Sequence, residues 1–147
     1  MAESRIRVGL TEEHGMAAEA AEFPADGIDY RFLNVTRFGS PLLKSPIKGF
    51  MSRYDTTGCD IIESLISPVH TEIPWVYSLA CIEEALAFNL LHVPLPRTVR
   101  SLYLRWLFTR PNFRRFLFWS RAGRASLDAY PVLNDARIRE KAEVVYP

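Results

Sequence analysis

The sequence predicts an α/β domain built on an open, mainly parallel, Rossmann-like sheet with helices on both faces. Short apolar or β-branched runs alternate along the chain with segments of helical periodicity. The chain opens with a strand, a helix and a second strand, and such a crossover places its two strands parallel to each other. Residues 60–64 form a short apolar run, which is typical of strands covered on both faces of a parallel sheet.

Composition limits the class of protein. At 147 residues, with 48% hydrophobic and 24% charged residues, the chain predicts one domain spanning 1–147, large enough to bury a core. A net charge of +1 argues against a nucleic-acid partner. The sequence has no apolar run of spanning length and no basic-then-apolar leader, which predicts a cytoplasmic protein. Cys59 and Cys81 lack metal-ligand spacing, so we expect reduced thiols, no metal site and no cofactor.

The first half of the chain contains four predicted strands. The first covers 5–10, and Thr11 with Glu12 and Glu13 favours a helix start, because a hydroxyl caps free N–H groups and acids stabilise that end. Pro24 ends this helix. A loop with one short helix around 47–53 is predicted in the Gly- and Pro-containing stretch that follows. The other three strands are predicted at 28–35, 60–64 and 74–79.

The second half alternates helices with two further strands. Helices are predicted at 82–91, 99–108 and 122–130 with a helical turn at 135–141, and strands at 113–119 and 143–146. Prolines 94, 96 and 111 bound the first two of these helices. The residues expected in or beside the core are Val8, Phe32, Ile61, Val76, Phe116 and Val144.

A succession of features over residues 59–147 resembles a known family. A strand ending in Ser64 precedes a loop with His70, and then come a second strand, an arginine-rich helical stretch and a strand leading through Arg121-Ala122-Gly123 into a helix. The closing run, Lys141-Ala142-Glu143-Val144-Val145-Tyr146-Pro147, ends in a proline. This order resembles the N-terminal half of two-domain retaining glycosyltransferases of the GT-B fold, the family of glycogen, sucrose and cell-wall mannosyl transferases.

The resemblance implies that the chain is the acceptor-binding half of a hexosyl transferase. In that family the nucleotide-sugar donor is held by the C-terminal domain, so the chain alone is expected to be inactive. Its implied partners are that domain and a sugar or lipid-linked acceptor. One feature departs from the family: the glycine-rich loop expected after the first strand is replaced by 10–15, with a single glycine and two acids.

Four residues are candidates for substrate contact. Glu63 lies at the end of the third strand and His70 lies in the loop after it. Ligands of open parallel sheets bind beyond such strand ends. His70 is expected either to orient an acceptor hydroxyl or a sugar phosphate, or to be merely exposed. Glu63 is expected either to accept from a sugar hydroxyl or to satisfy a loop N–H. Ser120 and Arg121 lie where a strand leads into a helix. Ser120 is predicted to cap that helix, with anion contact as an additional role, and Gly123 to allow close packing on the sheet.

The segment 97–124 contains eight arginines and no acid, interleaved with large apolar residues. The arginines expected to meet an anionic membrane surface or an acceptor phosphate are Arg100, Arg105, Arg110, Arg114 and Arg115. The alternatives are a solvated helix face whose arginine stems cover apolar neighbours, and single-stranded nucleic acid. A rival function follows from this segment: a stand-alone α/β binding module or a peripheral membrane adaptor.

Overall fold

The structure, a computed structural model, describes residues 5–13, 15–37, 52–65, 67–86, 89–90, 93–94 and 96–145. Its main feature is a six-stranded sheet in which every neighbouring pair of strands is parallel. In chain order the strands are β1 (Ile6–Leu10), β2 (Ile28–Phe32), β3 (Val35–Arg37), β4 (Arg53–Tyr54), β5 (Ile61–Ser64), β6 (Trp75–Leu79), β7 (Asn89–Leu90), β8 (Val93–Pro94), β9 (Phe113–Phe118) and β10 (Ala142–Val144). The sheet has the order β10-β9-β6-β5-β1-β2, and β3–β4 and β7–β8 form two small antiparallel pairs.

Helices and turns connect the strands of the sheet. They are α1 (Met16–Glu22), α2 (Glu83–Leu86), α3 (Arg97–Thr109), α4 (Arg121–Ala125) and α5 (Ala136–Arg139), with 3-10 turns at Ser126–Ala129 and Pro131–Leu133. The alternation of strands and helices and the parallel sheet confirm the predicted fold class.

Side chains of successive strand residues point to opposite faces of the sheet, so each face presents side chains of its own. Helices cover both faces. On one face, Ala17 of α1 packs in a cluster with Val8 and Leu10 of β1. On the other, Leu104 and Phe108 of α3 are part of the larger cluster. We refer to these as the α1 face and the α3 face.

The core on the α3 face is aromatic. Among the residues that the structure describes, six aromatic side chains are fully buried here: Trp75, Tyr77, Phe108, Phe113, Phe116 and Phe118. Alternation along β6 and β9 places most of them on the same side of the sheet, and ring centroids lie as close as 4.6 Å for the Phe108–Phe116 pair. Tilted and edge-to-face ring pairs of this kind contribute beyond the area they bury.

Several element boundaries differ from the sequence prediction. The first helix begins at Met16 instead of Thr11, after a turn in which Gly15 has a φ of 62° that favours glycine. The helix expected at 82–91 ends at Leu86, and a β7–β8 pair follows, because a proline at 94 disfavours helical backbone before it.

Further observed elements differ in their boundaries from the predicted segments. The helix expected at 122–130 is the short α4 followed by a 3-10 turn. Most of the short helix expected at 47–53 lies outside the described residues, and Arg53 belongs to β4. The last strand ends at Val144, and residues 146 and 147 lie outside the described part of the chain.

The predicted core is partly correct. Phe116 is fully buried and Val8 is 7% exposed, whereas Ile61, Val76 and Val144 are half-buried. Phe32 was wrongly placed in the core: it is 37% exposed, because β2 is the edge strand of the sheet and has a neighbour on only one side.

Candidate functional site

The strand order contains one switch point. From β1 the chain goes outward to β2 on one side, whereas β5, β6, β9 and β10 follow one another on the other side. Connections on either side of β1 therefore diverge, and a crevice opens outside the carboxyl ends of β1 and β5. Open α/β sheets bind their ligands at such a point.

Hydroxyl groups meet at this crevice. The Thr11 amide donates to the Glu63 carbonyl over 3.3 Å, and the Thr11 hydroxyl donates to the Ser64 hydroxyl over 3.4 Å. Ser64 in turn donates to the Ser67 carbonyl, and its side chain is fully buried. Because Ser64 and Ser67 are buried and bonded, they fix the position of Thr11, which is half-buried and borders the crevice.

Glu63 points to the α1 face, where it accepts a hydrogen bond from the Ser78 hydroxyl. It lines a cavity of about 130 Å³ together with Tyr30, Ser78, Trp119 and apolar side chains. Burial, and then the charge of Glu63, raise the pKa of Tyr30, so that phenol stays protonated and able to donate. A carboxylate has acceptor capacity beyond one bond, so Glu63 can accept from a ligand while it holds Ser78.

Ser120 and Arg121 lie at the same edge, directly after β9. The Ser120 hydroxyl accepts from the Gly123 amide over 2.9 Å, which confirms the predicted helix cap. Gly123 approaches the carbonyl of Ala80 so closely that a Cβ would not fit, which confirms the predicted close packing. Arg121, the first residue of α4, is exposed.

His70 lies near the amino ends of the strands, whereas Glu63 lies near their carboxyl ends. The Thr71 carbonyl accepts from the Asn112 side chain, and Glu72 pairs with Arg110 over 3.5 Å. Both partners come directly before β9, so this part of the loop has returned to the amino ends of the strands. The His70 ring stacks on Trp106 of α3, with ring centroids 5.7 Å apart.

The arginines of the 97–124 segment are largely occupied by protein groups. Acids from outside the segment pair with three of the five candidates: Arg105 with Asp135 (3.2 Å), Arg110 with Glu72 (3.5 Å) and Arg115 with Glu143 (3.0 Å). Arg114 is exposed on β9, and Arg100 is half-buried on α3. Because acids pair with three of the five, these arginines do not form one uncompensated cationic patch.

The ion pairs of Asp135 with Arg137 and Arg105 predict a pH-dependent stability. The Arg137 side chain, with further donors from the Arg137 amide and Arg105, holds the pKa of the Asp135 carboxyl well below its usual range. A depressed pKa stabilises the fold above the ordinary carboxyl pKa of about 4, and this stabilisation is lost as the pH falls from there toward the folded-state pKa. We expect Asp135→Asn to flatten the fall in melting temperature below about pH 4. Melting curves of both proteins across this range measure it.

Arg137→Gln serves as the companion variant, because it removes the largest contributor and leaves the carboxylate in place. It should flatten the same acid limb in part. Superimposable curves for the wild type and Asp135→Asn would contradict the assignment of Arg105 and Arg137 as structural partners of this carboxylate.

The residues missed by sequence reasoning are Thr11, Tyr30, Ser78 and Trp119. Trp119 and Ser78 could have been found from the sequence. A large aromatic residue directly after a strand and a hydroxyl residue within an apolar strand are both unexpected at those positions. In the part of the chain that the structure describes, no group of His, Cys, Asp and Glu side chains is arranged to hold a metal ion. Over the same residues, no helix has the length and apolarity needed to cross a membrane.

Comparison with known proteins gives no further assignment. No protein-family model, no curated protein and no solved structure matches the chain. The family resemblance therefore stays a prediction from the sequence.

Proposed function

We propose that this chain is the acceptor-binding domain of a two-domain, GT-B-type retaining glycosyltransferase, and that the acceptor binds at the crevice between β1 and β5. The observation that carries the proposal is the cavity at this switch point, which is lined by the Glu63 carboxylate, the hydroxyls of Tyr30 and Ser78 and the indole ring of Trp119. Such a set suits a sugar, which offers hydroxyl donors to a carboxylate and an apolar ring face to an aromatic side chain.

The same edge is poorly suited to a nucleotide donor. Diphosphates are bound by backbone N–H groups of a glycine-rich turn at a helix N-terminus. Here the turn before α1 carries Glu12 and Glu13, and α1 starts at Met16 without a side-chain cap. Negative charge at this position repels phosphate, so the donor would be held by another domain.

Each residue of the crevice has a proposed role. Glu63 accepts from an acceptor hydroxyl, and Ser78 orients the carboxylate by its hydrogen bond. Trp119 offers a stacking surface, and Thr11 a further hydroxyl. Arg121 contacts a phosphate or carboxylate substituent on the acceptor when one is present. His70 has no role in this proposal, because it lies at the opposite edge.

Two-dimensional NMR of the isotope-labelled chain 1–147 tests the proposal. Mono- and oligosaccharides should shift the amide signals of Thr11, Glu63 and Trp119, and Glu63→Gln should weaken this binding about tenfold, as expected for loss of a charge-assisted hydrogen bond. Glu72→Gln, a matched change at the other edge, should leave it unchanged. Uridine or guanosine diphosphate sugars should neither bind tightly nor be hydrolysed. Tight nucleotide-sugar binding, or the absence of shifts with every sugar, would contradict the proposal.

The rival function, a stand-alone binding module or membrane adaptor, differs in what the gene encodes. The glycosyltransferase proposal requires a reading frame that continues past Pro147 into a second α/β domain with paired glutamates. A stop codon at this point would favour the rival.

A further inference from the structure

Three large apolar side chains of α3 are exposed. Val99 and Leu102 are each 53% exposed and Trp106 is 44% exposed. Their spacing of three and four residues places them on one stripe of the helix. The opposite stripe, with Leu104, Leu107 and Phe108, is the buried one. A helix on the outside of an α/β sheet normally presents polar residues to solvent, so this second apolar stripe calls for a covering partner.

Two aromatic rings and one guanidinium group lie close to the Trp106 ring. The His70 ring stacks on it at 5.7 Å, the Arg110 guanidinium lies 5.0 Å from its ring centre, and Tyr103 lies 5.8 Å away. Tryptophan with one apolar and one polar side is enriched where a surface is apolar on one side and wet on the other, as at the boundary of a membrane.

A cavity of about 410 Å³ opens beside His70 and is lined by Arg53, Tyr54, Thr56, Thr71 and Glu72 among others. Two cations, Arg110 and Arg53, lie close enough to the His70 ring to affect its titration. Burial lowers the pKa of His70 most, and the charges of these two arginines lower it further. Glu72 acts in the other direction, but it is 84% exposed and pairs with Arg110. Two guanidinium groups, Arg53 and Arg110, against the one carboxylate of Glu72 leave one net positive charge beside the cavity. With the hydroxyl donors of the lining, this charge favours an anionic group.

We propose that the stripe of Val99, Leu102 and Trp106, with the cavity beside His70, docks this domain on an anionic phospholipid bilayer. The stripe enters the interfacial layer, and a phosphate headgroup occupies the cavity near Arg53. Charge complementarity selects this occupant, because a phospholipid matches both halves of the surface. A soluble anion would account for the cavity alone, and an apolar protein partner for the stripe alone.

The surface differs from the one that arginine counting in the sequence suggested. Arg105 and Arg115 are engaged by Asp135 and Glu143, so the exposed apolar stripe supplies the attraction and the cations beside it supply the preference for anionic lipid. The surface lies on the α3 face, whereas the Glu63 cavity opens on the α1 face. The two proposals therefore succeed or fail separately.

Flotation of the purified chain with vesicles tests the docking proposal. We expect binding to vesicles of phosphatidylcholine mixed with phosphatidylglycerol, little binding to phosphatidylcholine alone, and release by added salt. Leu102→Gln and Trp106→Gln should each weaken binding about tenfold, as expected for loss of a buried apolar side chain. Arg53→Gln should weaken it about fivefold, and only on the anionic vesicles.

Matched controls lie elsewhere on the surface. Phe23→Gln removes an apolar side chain that is 74% exposed beyond α1, and Arg5→Gln removes an exposed cation before β1, so both should bind like the wild type. Equal binding to neutral and anionic vesicles, no binding to either, or an equal loss with Phe23→Gln would overturn the proposal. So would an NMR titration in which inorganic phosphate raises the pKa of His70 while anionic vesicles bind nothing, since the cavity would then serve a free anion.

Discussion

Replacing Gly123 with alanine is expected to lower the free energy of unfolding by about 3 kcal/mol, because the added methyl group has no room. A Cβ at this position would lie 1.9 Å from the carbonyl oxygen of Ala80, which is backbone and has no rotamer to change. Hydrogen bonds hold Gly123 on both sides, since its amide donates to Ser120 over 2.9 Å and its carbonyl accepts from Ser126 over 2.6 Å. Urea denaturation of the two proteins measures the difference.

The sign of this effect is informative, because alanine is the better helix former. In an exposed helix the change from glycine to alanine would add about 1 kcal/mol of stability. Gly9→Ala is a suitable comparison: its Cβ would approach Leu33 at 2.7 Å and Cys59 at 2.9 Å, which are side-chain atoms able to shift. We expect a smaller loss there, and a stable Gly123→Ala protein would contradict the tight approach of α4 to the sheet.

The contact also has a consequence for the candidate site. Gly123 ties the end of β9 to the end of β6, so it sets where Trp119 and Arg121 stand relative to Ser78. A variant that tolerates alanine by moving α4 should therefore also alter the crevice that we assign to the acceptor.

The strands of the sheet centre could be predicted from sequence because their signal is local. Residues 60–64, 74–79 and 113–119 each contain adjacent large apolar side chains, and the observed strands β5, β6 and β9 agree with these ranges to within one residue at each end. The region 82–94 was less predictable. Helix-forming residues there compete with Pro94, and tertiary pairing decided in favour of β7 and β8.

The candidate site was only partly predictable, because it depends on which strands are neighbours. Glu63 was found from its place at a strand end, but the partner of Ser64 is Thr11, 53 residues away in the sequence. The same argument from strand ends predicted that His70 lies at the carboxyl ends of the strands, whereas it lies near their amino ends. A strand end tells where a loop begins, and only the structure tells in which direction the loop continues.

The arginine-rich segment illustrates the same limit. Counting charges within 97–124 finds no acid, yet Asp135, Glu143 and Glu72 reach the segment from outside it. Long-range ion pairs leave no pattern in a sequence window. The apolar stripe of α3 was visible as residues but not as a surface, because its exposure depends on how the helix is rotated on the sheet.

Phe116→Ala should produce the largest loss of stability, about 3–5 kcal/mol, because it empties the centre of the aromatic core. The Phe116 ring is fully buried, and its centroid lies 4.6 Å from those of Phe108 and Phe113 and 5.6 Å from that of Phe118. Phe113 and Phe118 belong to β9, the strand of Phe116 itself, and Phe108 belongs to α3. The cavity left by the alanine is therefore lined by two elements and cannot close by the movement of one side chain. A loss of this size is a large part of the stability of a domain, which is about 5–15 kcal/mol.

Phe32→Ala is the matched control, because it makes the same chemical change at a residue that the sequence also predicted to lie in or beside the core. Phe32 is 37% exposed on the edge strand β2, so its loss should cost only about 1 kcal/mol. Phe116→Leu, which keeps most of the buried volume, should fall between the two and remain folded. Denaturant midpoints at constant slope measure all three variants. Equal losses for Phe32→Ala and Phe116→Ala would mean that β2 is packed as deeply as β9, contrary to the strand order of the sheet.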